Sequence, residues 1–67
     1  MKLFINGTAG EYSGSCRTVA DLLRRPEWRS RLVMVELNGG IIGKEDYEST
    51  ELSDGDRIEL VHFVAGG

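Results

Sequence analysis

A single cysteine, Cys16, leaves this 67-residue chain unable to close an internal disulfide, which argues against a small secreted scaffold and fits a free thiol in a reducing cytoplasm. The one histidine, His62, has no companion at metal-ligand spacing, so a structural or solvated imidazole is the reading. No apolar run approaches the ~20 residues of a membrane span, and the N-terminal residues turn polar too soon for a signal peptide. Positive charge is also scarce: the net charge is -3, and Arg17, Arg24, Arg25, Arg29 and Arg31 share their region with Asp21 and Glu27, so no unopposed basic face is offered to nucleic acid. The serines lack a histidine base at recognisable spacing, and Asn38-Gly39-Gly40 leads into a strand rather than a helix, which excludes a hydrolytic triad and a phosphate loop. What is left is one domain near the lower size limit for an unaided apolar core.

The elements come in a short order. Residues 1–6 alternate, with Met1, Leu3 and Ile5 inward and Phe4 odd among polar neighbours, as in a half-buried strand. Turn chemistry over residues 6–10 precedes a second strand at about 11–15. Thr18 caps a helix with Asp21 in its first turn; Val19, Leu22 and Leu23 form its core stripe, and Pro26 stops it near Arg25. Trp28 is expected as a lid on the core edge. A β-branched strand over 32–38 points Val33, Val35 and Leu37 inward and reverses at Asn38-Gly39 into a short fourth strand. A surface turn pins Tyr47, Leu52 dips inward, and Ser53-Asp54-Gly55-Asp56 makes the last turn. The final strand, 57–63, buries Ile58 and Leu60. The order β-β-α-β-β-turn-β gives an α+β fold: a mixed five-stranded sheet, first and last strands adjacent, with one main helix on one face. Phe4, Met34, Val61 and Phe63, with Val64 following, would gather on the uncovered face as a partner-binding patch, although scattered exposed apolar residues are ordinary.

The chain ends Val64-Ala65-Gly66-Gly67. A frayed terminus is the bland reading. The functional one is that residues 64–67 are a flexible tail after a domain of residues 1–63. Glycines make a thin thread that a narrow channel accepts, and the last four residues span roughly 13 Å when extended. The carboxylate of Gly67 is ionised and a poor acyl donor until activated. Attack on the α-phosphate of ATP would give an acyl-adenylate, from which a sulfur nucleophile could make a thiocarboxylate. This chain supplies no ATP site, metal or phosphate electrophile, so a partner enzyme must. An interaction module with a passive tail, and a modifier captured by a lysine amine, stay open beside a sulfur carrier.

From Val35-Glu36-Leu37-Asn38-Gly39, through Leu52-Ser53-Asp54-Gly55-Asp56-Arg57-Ile58-Glu59-Leu60-Val61, to Phe63-Val64-Ala65-Gly66-Gly67, the chain resembles the ThiS family, the small sulfur carriers of bacterial thiamine (thiazole) biosynthesis. The resemblance implies a ubiquitin-like β-grasp fold. It implies adenylylation of Gly67 by an E1-like, ThiF-like adenylyltransferase using ATP and Mg, with no cofactor bound by the carrier. It further implies a sulfur donor protein and delivery of the thiocarboxylate sulfur to a ThiG-like thiazole synthase. Gly43-Lys44, where members commonly have proline or alanine then arginine, and residues 26–31 depart from the pattern. Related carriers with the same ending serve molybdopterin or amino-acid sulfur chemistry, so that pathway alternative stays open as well.

Overall fold

Two Asn-Gly pairs reverse the chain by the same device. Asn6 and Asn38 take φ of 50° and 49°, with Gly7 and Gly39 at 83° and 87°, the left-handed pair that a two-residue hairpin turn demands. In this computed structural model, which describes residues 1–29 and 32–62, the first pair joins β1 (Lys2–Ile5) to β2 (Thr8–Glu11) and the second joins β3 (Val33–Leu37) to β4 (Gly40–Ile42). The second strand therefore begins at Thr8, not near residue 11, because the reversal is complete in two residues where the sequence suggested five.

Thr18 caps α1 (Val19–Leu23) with a reciprocal capping box: its Oγ1 accepts from the Asp21 amide, and the Asp21 carboxylate accepts from the Thr18 amide. The helix spans the whole stripe of Val19, Leu22 and Leu23 and is capped at Arg24, two residues before Pro26 and within a residue of the expected end. Arg24 also pairs with Asp21 and reaches Glu48, fastening the helix to the turn that follows the 3-10 segment Lys44–Asp46. Ala20 joins Val19 and Leu22 in the interior.

The last strand, β5 (Arg57–His62), organises the sheet, whose order is β2-β1-β5-β3-β4. It runs parallel to β1 and antiparallel to β3. Leu3, Ile5, Ile58, Leu60 and Val35 turn to the helix side and meet Val19, Leu22, Cys16 and Leu52 in one core. Met1, Leu23, Trp28, Val33, Leu37, Ile42 and Tyr47 pack at its margin. Asp54 ties the last turn to β1 by accepting the Lys2 amide, and Asp56 closes the turn itself by accepting the Ser53 amide. Among the described residues, no helix is long and apolar enough to cross a membrane.

Candidate functional site

β5 is held along both edges, and its end is the point from which residues 63–67 continue. Its backbone at Leu60 faces β1, but β1 has already turned away at Asn6. The Asn6 side chain fills the gap: Oδ1 accepts from the Leu60 amide at 2.7 Å and Nδ2 donates to the Leu60 carbonyl at 3.2 Å. Asn38 does the equivalent at the start of the strand, where its Oδ1 accepts from the Arg57 amide at 2.9 Å and its Nδ2 donates to Asp56. Each asparagine amide thus extends a ladder that the turn would otherwise cut short. At the other end Trp28 leans on His62, ring centroids 5.8 Å apart.

The face turned away from α1 follows from the register. Met34 lies opposite Val61, Glu36 opposite Glu59, and Phe4 opposite Arg57, so alternation puts all six on one face. Val61 is 44% exposed, while Phe4 and Met34 are half-buried. The Phe4 ring has the Lys2 ammonium 5.6 Å and the Arg57 guanidinium 5.8 Å from its centroid, cations that steady an otherwise isolated aromatic. Phe4, Gly7, Arg57 and Glu59 line a shallow depression of about 230 Å³. Glu36 beside Glu59 sets two like charges across one strand pair, an arrangement unfavourable in the free chain. Of the residues expected on the open face, Phe4, Met34 and Val61 share it, Phe4 at the Arg57 end of β5 and Met34 with Val61 at the other; Phe63 and Val64, like Ala65, Gly66 and Gly67, lie outside the described residues. Sequence reasoning missed Ile41, 69% exposed and opposite Glu36 on this face. It also missed the Lys2 and Arg57 flanks of Phe4; the two-residue alternation within each strand was the signal for all three.

Cys16 is buried beside Val19, and burial pushes its thiol above the ordinary range, which leaves it unsuited to nucleophilic work at neutral pH. Among the described residues no cluster of three His, Cys, Asp or Glu side chains could hold a metal ion.

A mixed five-stranded sheet with one helix packed on one face places the chain in the ubiquitin-like β-grasp class. Residues 3–67 match the ThiS family. The chain is 45% identical over 65 residues to the sulfur carrier protein ThiS of Bacillus subtilis, covering 97% of this chain and 98% of that one. The crystal structure of a thiamine biosynthesis protein (ThiS) from Geobacter metallireducens superposes with a TM-score of 0.75 at 33% identity, each chain wholly covered. A thiazole synthase of Paramagnetospirillum magneticum is 43% identical across all 67 residues, which span 20% of its length. The chain belongs to the ThiS family and is a sulfur carrier protein of thiamine biosynthesis.

Proposed function

We propose that the reactive group of this carrier is the carboxylate of Gly67, charged and discharged by other enzymes. The carboxylate oxygen attacks the α-phosphorus of ATP, with Mg held by an E1-like adenylyltransferase; pyrophosphate leaves and a mixed anhydride with AMP forms. A sulfide equivalent from a sulfur donor protein then attacks the Gly67 carbonyl. AMP departs, and the chain carries a thiocarboxylate whose sulfur passes to a thiazole synthase. Gly66 and Gly67 suit this chemistry because no side chain crowds the carbonyl under attack. The apolar members of the open face, Phe4, Met34 and Val61, with Phe63 and Val64 further along the chain, serve as the docking patch for these enzymes. The reading places the chemistry in the cytoplasm, where a reduced Cys16 belongs.

The observation that carries the proposal is a family match running to residue 67. The thiazole synthase, one fifth of which resembles this entire chain, supports the choice of acceptor. The test is intact-mass spectrometry of the chain after incubation with ATP, a sulfur donor and the activating enzyme. Exchange of one terminal oxygen for sulfur is expected, and its loss on deleting Gly67 or adding a residue after it. An isopeptide linkage from Gly67 to a lysine, with no sulfur gained, would refute the proposal in favour of a protein modifier.

A further inference from the structure

On the helix side of the sheet, away from the open face, Leu23, Trp28, Leu32, Val33 and Tyr47 wall a cavity of about 290 Å³ completed by Arg29 and Lys44. Among the described residues, no acidic side chain lines it. Neither cation has a carboxylate partner among the described residues, whereas Arg24 is paired with Asp21 and Glu48, and Arg25 with Glu27. Glu45, next along from Lys44, keeps its carboxylate against Gly43. Leu32 stands 65% exposed at the mouth. A chain of net charge -3 thus keeps two unopposed cations beside apolar and aromatic walls. The cavity borders the strand end, because Val33 pairs with His62 and Trp28 leans on the His62 ring. An enzyme that takes up residues 63–67 would pass close to it.

We infer that this cavity receives an acidic-apolar side-chain pair from a partner protein: an aromatic or branched residue seated on Trp28, Leu32 and Tyr47, with a neighbouring Asp or Glu held by Arg29 and Lys44. The inference rests on the function proposed above and gives its partner a second foothold, on the opposite side of the strand end from the open face. Charge decides the class of occupant. A basic segment is repelled here, and a neutral one leaves both cations unanswered. A free phosphate would satisfy the cations but leave the five apolar walls wet, while a carboxylate beside an apolar side chain uses both parts of the lining.

The single tryptophan, Trp28, reports directly on the site. The full-length chain is titrated with the peptide Ac-Gly-Asp-Phe-Gly-NH2, with its Asn counterpart and with inorganic phosphate, following Trp28 emission and the indole NMR signal. The acidic peptide is expected to move both at millimolar concentration, and the R29E/K44E variant to lose the response. An equal response to the Asn peptide, a response to phosphate alone, or none to the acidic peptide would overturn the inference. Calorimetry then compares wild type and R29E/K44E binding to the activating enzyme and to thiazole synthase. At least one affinity should fall about tenfold or more, a change on the order expected for losing two charge-assisted contacts. Undiminished affinity for both enzymes, with Val61→Glu weakening them, would sink this site and leave the proposed function standing. Failure of the wild-type chain to acquire sulfur would sink that function instead, and the peptide titration does not depend on it.

Discussion

Replacing Asn6 separates two contributions that the turn combines. The side chain answers the Leu60 amide and carbonyl, and Leu60 is 4% exposed, so water cannot easily take its place. Asn6→Gly removes both hydrogen bonds while keeping a backbone at ease with φ of 50°; an unsatisfied buried pair of this kind costs about 1–3 kcal/mol. Asn6→Ala loses the same bonds and adds a Cβ in the left-handed region, about 1–2 kcal/mol more. A domain of this length has a total stability on the order of 3–10 kcal/mol, so Asn6→Gly, the milder of the two, is the variant whose unfolding is read quantitatively. Urea titration should show a lower midpoint with an unchanged slope. The melting temperature should fall by about 4–8 °C for each kcal/mol lost. Hydrogen exchange at the Leu60 amide should accelerate more than at Val35. If Asn6→Gly lies within about 0.5 kcal/mol of wild type, the level of an ordinary surface substitution, the anchoring role assigned to this side chain is wrong.

Thr18→Ala should lower stability by about 1 kcal/mol through loss of the helix cap, read by the same urea titration. The Asp21 carboxylate is held below its usual range chiefly by the Arg17 amide, against the opposing effect of burial, with the Thr18 amide and hydroxyl and the Arg24 charge adding to the lowering. A depressed native value means that its stabilisation is complete above the ordinary carboxylate range and is lost as pH falls through the native value; Asp21→Asn should flatten that acid limb. Cys16, 4% exposed and with its thiol pushed up by burial, should react with iodoacetamide far more slowly in the native chain than in urea. Because its native value is raised, the associated stability is full below the ordinary thiol range and declines as pH rises through it towards the native value. Leu22→Ala, at a fully buried position, should cost about 2–5 kcal/mol, enough to leave the thermal transition broad or absent by circular dichroism.

The sheet and the helix cap were legible because each rests on local chemistry. Asn-Gly fixes its own reversal, Thr18 and Asp21 cap within four residues, and period-two alternation put Val35, Ile58 and Leu60 inward, where they are buried. The start of β2 was misjudged because Thr8, Ala9 and Gly10 look like turn residues; it is pairing with Ile5, Phe4 and Leu3 that makes them a strand. The Asn6 contact with Leu60 and the Arg24 contact with Glu48 join residues far apart in the sequence. No local pattern announces them, since they exist only once β1 lies beside β5 and α1 beside the 3-10 turn. The cavity beside Trp28 was hidden for the same reason, its lining coming from four separate stretches of chain.

On the function proposed above, the topology gives the chain's last residues a starting point on the central strand β5 rather than on an edge strand. β5 has a neighbour on each side, and Asn6 and Asn38 complete pairings that the turns leave open. A segment leaving the end of such a strand starts from a fixed origin, so a partner docked against the sheet meets it at a defined place. Five residues beyond His62 reach at most about 18 Å. Within that radius a docked enzyme sees the terminal group at an effective concentration on the order of millimolar or more, which makes entry into its active site an intramolecular step. An edge strand, hydrogen-bonded on one side alone, would fray at its last residues and widen that volume. The two asparagines therefore bear on delivery as well as on stability: loosening Leu60 should slow transfer from a docked carrier even where the affinity of docking is unchanged.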